Sequence, residues 1–155
     1  MKRVFILILA AFSFISCNKK NDQHCTPAAP DTESAEMQAF CIAQNINYTI
    51  DENGIYYQAA DPGSGIMANI NSTITATYTA STLDGNIVED KSATAVTKKL
   101  SDFIEGFRIG LTHIQKGGRI KIVIPSFLAY GCTGIPNLIA PNSPLYYDVV
   151  LINVE

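Results

Sequence analysis

The chain has 155 residues, 47% of them hydrophobic, with a formal net charge of −3 and no tryptophan. That length suits one domain with a real core. No basic patch dominates, which argues against a nucleic-acid partner. Two histidines, and four cysteines without a Cys-x-x-Cys spacing, offer no metal site and no reason to invoke a cofactor.

Met1-Lys2-Arg3 is a short basic start, and Val4 to Ile15 is an apolar run of signal-peptide length, short for a bilayer span. It ends in Phe14-Ile15-Ser16-Cys17, which resembles a bacterial lipoprotein signal. The resemblance implies residues 1–16 as a cleaved signal, Cys17 as the lipidated residue, and residues 17–30 as a polar, Pro-containing tether. It further implies a lipid-anchored protein of the bacterial cell envelope. Such a protein faces the periplasm, with the outer membrane favoured over the inner, or lies at the cell surface. The alternative is an ordinary secretory signal with a chance cysteine. An exported chain meets an oxidising compartment. Cys25 and Cys41, close in sequence, are then a candidate disulfide that leaves Cys132 over; three unpaired thiols are the equal alternative.

Residues 31–47 read as a helical appendage. Asp31 or Thr32 is the expected N-cap, Met37, Phe40 and Cys41 form one apolar stripe, and Asn45 ends the helix. Residues 48–155 read as the main domain. Tyr48-Thr49-Ile50 and Ile55-Tyr56-Tyr57-Gln58 flank Asn53-Gly54, a strong hairpin signal. From Thr73 to Ala80 the chain alternates, with Ile74, Ala76, Tyr78 and Ala80 on one face. After a turn at Leu83-Asp84-Gly85-Asn86, Ile87-Val88 begins a short strand.

Glu105 to Ile114 reads as the second helix, with Phe107, Leu111 and Ile114 on its buried stripe and Gly110 permitting close approach of a neighbour. Gly117 or Gly118 supplies the left-handed stop. Arg119 to Pro125 alternates as a strand with Ile120, Ile122 and Ile124 inward; Ser126 to Pro144 is a long, still apolar loop; Leu145 to Val154 is a final strand. Hairpin-linked strands with one late short helix predict an α+β fold, an antiparallel sheet wrapped around that helix. The polar tether and single compact domain favour a monomer.

This ordered set of pieces resembles FKBP-type peptidyl-prolyl isomerases over roughly residues 55–155. The matching text is Thr77-Tyr78-Thr79, Leu83-Asp84-Gly85, Phe103-Ile104-Glu105-Gly106-Phe107, Gly110-Leu111 and Lys116-Gly117-Gly118-Arg119. It continues with Ile124-Pro125, Ala129-Tyr130-Gly131, Pro141-Asn142-Ser143, Leu145 and Tyr147-Asp148-Val149. The resemblance implies a half-open sheet around one short helix and an apolar hollow that takes the proline ring of a polypeptide substrate. By position it implies Tyr78 on the wall, Phe103 and Ile104 before the helix, and Phe107 as floor. Tyr130 becomes a hydroxyl donor to a substrate carbonyl, the Ile104 N–H a second donor, and Tyr147 a residue of the last strand. Ile135, Leu138 and Ile139 become substrate contacts on the loop.

The chain departs from the family pattern at several of these places. Val88-Glu89 stands where Phe-Asp is usual, Phe107 where Trp is usual, Ala140-Pro141 where Pro-Pro is usual, and Tyr147 where Phe is common; an apolar residue expected near Lys98 is missing. Together they imply a shallower hollow and lower activity. Read alone, Glu89 is a solvated carboxylate and Phe107 is core. Two functions therefore stay open: an isomerase that assists folding of exported proteins, and a weakly catalytic or non-catalytic module that holds proline-containing segments.

Overall fold

The computed structural model describes residues 25–29 and 31–155. The expected signal segment, Cys17 and most of the expected tether lie outside the described residues. Seven strands form one antiparallel sheet: β1 (Thr49–Ile50), β2 (Tyr56–Asp61), β3 (Thr73–Thr82), β4 (Ile87–Asp90), β5 (Val96–Lys99), β6 (Arg119–Ile124) and β7 (Leu145–Val154). Their order is β1-β2-β6-β7-β3-β4, with β5 also paired to β3. The helices are α1 (Ser34–Ala43) and α2 (Glu105–Leu111). This is the expected α+β architecture.

The inner face of the sheet follows from alternation. Ile74, Ala76, Tyr78 and Ala80 of β3 are buried, as are Ile120, Ile122 and Ile124 of β6 and Leu145, Tyr147, Val149 and Leu151 of β7. Helix α2 covers them with Phe107 and Leu111, both fully buried. It can lie close because Gly106 and Gly110 face the sheet: a Cβ at either position would run into Ile124 or Ile122. The helix is shorter than the periodicity suggests. Beyond Leu111 the bonds tighten, His113 N–H to Gly110 C=O and Ile114 N–H to Leu111 C=O, yet Ile114 stays buried. Gly117 sits at φ 85°, as its place after the helix requires.

The other face carries a second, smaller core of Met37, Cys41, Ile46, Tyr56 and Val123. Alternation alone would send Val123 to solvent; α1 covers it instead. Asn45 ends α1 in the left-handed region at φ 52°. The helix start differs from expectation, because Glu33 holds the N-cap position without capping with its side chain. Thr32 and Ser34 donate backwards, to the carbonyls of Ala29 and Asp31.

Strand β5 is absent from the sequence reading. It pairs with β3 through Thr73↔Lys99 to Ala76↔Val96, while β4 pairs further along through Thr79↔Asp90 and Ala80↔Glu89. One edge of β3 is thus met by two short strands in line. The sequence Val96-Thr97-Lys98-Lys99 hides this because just one of its four residues is even half-buried.

The cysteine expectation is overturned. Cys25 bonds to Cys132, across 107 residues, and Cys41 is unpaired and buried. The stripe of α1 turns Cys41 into the second core, out of reach of Cys25.

Candidate active site

The hollow opens where β3, β4, the segment before α2, the long loop and β7 converge. Its lining is Tyr78, Glu89, Lys98, Asp102, Phe103, Ile104, Tyr130 and Tyr147, around a cavity of about 190 Å³. That is below the roughly 300–1,000 Å³ of sites for drug-sized ligands, and suits a small ring. Each wall has a local cause. Tyr78 points inward as an alternate residue of β3, and Tyr147 does the same on β7. Phe103 and Ile104 are extended residues between the single-turn helix Leu100–Asp102 and α2. Tyr130 follows the single turn Ser126–Leu128.

The aromatic rings form a connected array. Tyr78 meets Phe103, Phe107 and Tyr147 edge-on or tilted, at centroid distances of 6.1, 5.7 and 6.1 Å. Phe103 stacks on Phe107 at 4.4 Å with planes 13° apart. Phe107 is therefore one layer deeper than expected. It is fully buried, and the half-buried Phe103 lines the hollow in its place. Phe107 supports the floor and does not line it.

Glu89 is more than a solvated carboxylate. Its Oε2 accepts the Tyr78 hydroxyl at 3.0 Å, and Lys91 Nζ lies 3.6 Å from its Oε1. Burial raises the Tyr78 phenol, and the bond to Glu89 and the Glu89 charge raise it further. Burial, then the Glu89 charge, raises Tyr130; burial, then Tyr130 and Tyr78, raises Tyr147. All three hydroxyls keep their protons as hydrogen-bond donors. The Tyr78 hydroxyl is engaged by Glu89, while the Tyr130 and Tyr147 side chains also line the hollow. Ile104, whose C=O accepts the Arg108 N–H at 3.2 Å, lines the same hollow.

The remaining residues expected at the site fall elsewhere. Val88 packs half-buried against the same core but does not line the hollow. Ile135, Leu138 and Ile139 line an adjacent cavity with Thr133, Pro136, Asn137, Ala140 and Pro141. There Ile135 and Ile139 exchange two backbone bonds of 2.8 Å, leaving Leu138 exposed and Ile139 buried. Two charged residues of the hollow escaped the sequence reading in this role. Lys98 was visible as the missing apolar residue; Asp102, in a run without periodicity, left no signal.

The loop from Ser126 is ordered by its own backbone. Gly134 N–H bonds Tyr130 C=O at 3.1 Å and Asn142 N–H bonds Gly131 C=O at 2.8 Å. The N-terminal segment ties it from outside: Cys25 through the disulfide to Cys132, and Ala28 N–H to Asn142 Oδ1 at 3.1 Å.

Residues 65–152 match the family of FKBP-type peptidyl-prolyl cis-trans isomerases. The chain is 36% identical over 104 residues to FKBP-type peptidyl-prolyl cis-trans isomerase FkpA of Escherichia coli K12, covering 66% of this chain and 38% of that protein. It is 31% identical over 105 residues to peptidyl-prolyl cis-trans isomerase Mip of Coxiella burnetii, covering 66% and 46%. To the protein named outer membrane protein MIP of Legionella longbeachae it is 29% identical, covering 66% and 45%. The chain thus spans less than half the length of these curated relatives. Among solved structures, FkpA from E. coli aligns with a TM-score of 0.69 at 30% identity, over 81% of this chain and 62% of that one. A peptidyl-prolyl cis-trans isomerase from Pseudomonas syringae pv. tomato aligns with a TM-score of 0.69 at 26% identity, over 84% and 98%.

Proposed function

The chain belongs to the FKBP-type peptidyl-prolyl cis-trans isomerase family, and from that membership we propose that it catalyses cis-trans isomerisation of X–Pro bonds in polypeptides. The observation that carries the reading is the hollow itself. Aromatic rings of Tyr78, Phe103, Tyr130 and Tyr147 surround a ring-sized space, and the three tyrosine hydroxyls keep their protons.

The chemistry asks for little else. Rotation about a peptide bond has a barrier of about 18–20 kcal/mol because resonance holds the amide planar. No bond is made or broken, so a catalyst must bind the twisted imide better than either planar form. A proline ring seated against Phe103 and Tyr147 leaves water. Desolvation disfavours the polar planar amide relative to the twisted one. The Tyr130 hydroxyl and the Ile104 N–H fix the flanking carbonyls.

The proposed setting is the bacterial envelope, with Cys17 lipidated, the domain facing the periplasm, and exported proteins as clients. The N-terminal signal pattern supports it, and so does the name of the Legionella relative. Loss of labelled palmitate from the chain on Cys17→Ser is the expected result; retention on that variant would refute the anchor.

A proline-limited refolding assay with the full chain tests catalysis. Tyr130→Phe removes one hydrogen-bond donor and should lower kcat/KM about 3–10-fold, the worth of one such bond. No acceleration by the wild-type chain would refute the isomerase reading. The second reading, a module that holds proline segments without turning them over, is favoured by two observations: Phe103 covers Phe107, and Val88 lies outside the lining. It predicts proline-peptide binding without acceleration.

A further inference from the structure

Glu33 precedes α1 and lies outside the 65–152 family match. It is 6% exposed, and both of its carboxylate oxygens are used on one residue 93 positions away. Oε2 accepts the Ser126 N–H at 2.7 Å, and Oε1 accepts the Ser126 hydroxyl at 2.5 Å. Ser126 is fully buried. Two donors on one buried residue require two acceptors, since water cannot supply them and an unmet donor there costs about 1–3 kcal/mol. A carboxylate answers both with one side chain.

The Ser126 peptide is also the pivot of the turn that presents Tyr130. Its C=O accepts the Ala129 N–H at 2.9 Å and the Gly131 N–H at 2.8 Å, from the two residues that flank Tyr130. Glu33 is itself held firmly. Its C=O accepts the Met37 N–H at 3.0 Å, and Met37 and Cys41 pack on Val123, three residues before Ser126. The contact therefore runs from a packed helix, through a buried carboxylate, to the base of the Tyr130 turn.

We propose that Glu33 is a positioning residue for Tyr130, holding the Ser126 peptide so that the Tyr130 hydroxyl is presented to the hollow. The proposal rests on the isomerase reading for its effect on rate. It assigns the appended helix a role in the site.

The test uses the full chain, with Glu33→Ala, Glu33→Gln and Ser126→Ala made in both the wild-type and the Tyr130→Phe backgrounds. Glu33→Ala should lower kcat/KM in proline-limited refolding about 5–10-fold, as expected for a displaced hydrogen-bond donor. Glu33→Gln keeps an oxygen for the Ser126 N–H and an amide for its hydroxyl, and should recover most of that rate. Ser126→Ala, which loses just the hydroxyl bond, should fall between. In the Tyr130→Phe background Glu33→Ala should cost less than about twofold, because coupled residues are not additive. An equal loss in both backgrounds would show a general structural role and overturn the proposal, as would an unchanged rate. If Glu33→Ala fails to fold, Glu33→Gln and Ser126→Ala carry the same comparison. Amide NMR separates this from the isomerase reading. If the wild type fails to accelerate refolding, that reading fails. The positioning claim then stands if Glu33→Ala shifts the Tyr130 and Gly131 amides while those of Ala76 and Leu151 stay, and falls if Tyr130 and Gly131 do not move.

Discussion

On the inner face of the sheet, α2 lies flush against β6, with Gly106 and Gly110 set on Ile124 and Ile122, and Phe107 and Leu111 join the same apolar core. On the outer face, α1 covers a much smaller patch and is fastened by particular bonds: Glu33 to Ser126, and the segment ahead of it by Cys25 to Cys132. The inner face is a core whose last few rings are left short of filled, and that shortfall is the hollow. The outer face is an attachment whose fastenings end on the loop that carries Tyr130. Bulk apolar packing makes the domain; directional bonds decide how the appended segment bears on the rim.

The comparison breaks first at Phe107. Phe107→Ala should cost about 3–5 kcal/mol, the range for a fully buried aromatic ring, read as a lower urea midpoint. Because Phe103 stacks on it, peptide binding should weaken as well. If stability hardly changes, the inner core is not what holds the domain.

Cys132→Ser should come next, at about 2–4 kcal/mol for a disulfide closing a long loop. Its signature differs in place. Hydrogen exchange should rise across Ser126 to Asn142 while β3 and β7 amides stay protected. Equal loss of protection in both regions would erase the distinction between core and fastening.

A smaller effect is expected from pH. Burial raises the Cys41 thiol from an ordinary value of 9.0 to about 11, and burial with the Asp148 charge raises Tyr146 from 10.0 to about 12. The folded chain therefore keeps protons that the unfolded chain releases first. Stability from these groups is complete below pH 9 and is lost as pH rises through the window from 9 to 12. Cys41, in the outer-face core, begins its part of the decline at pH 9, below the ordinary value of 10.0 from which the inner-face Tyr78, Tyr130 and Tyr147 are raised, so α1 should loosen before the inner face. Cys41→Ala should flatten the lower part of that decline.

Much of the fold was legible because its strands are one-sided. The alternation at Ile74, Ala76, Tyr78 and Ala80, and again along β7, needs no knowledge of partners. Asn53-Gly54 marked the hairpin and Gly110 marked the close helix contact. Strand β5 was illegible because it owes its extended form to the edge of β3 and buries little of its own surface. Val123 was misread for the opposite reason: a distant helix covers what its own strand exposes.

At the site, the family resemblance implied Tyr78, Phe103, Ile104, Tyr130 and Tyr147 on one hollow, and all five line it. Their division of labour was not legible. Whether Phe103 or Phe107 presents its ring depends on which stacks over the other, and whether Glu89 is solvated or bound depends on a hydroxyl eleven residues away in sequence.

The sequence by itself determined the late helix and every strand but β5, because side-chain periodicity and turn residues are local properties of the chain, and its resemblance to the family implied an aromatic hollow. Only the tertiary structure decided that Cys25 pairs with Cys132, that Glu33 answers Ser126, and that Phe107 lies under Phe103. Those are choices among partners separated by long stretches of chain. Burial makes them, by forcing each polar group and each ring to find whatever the fold has brought beside it.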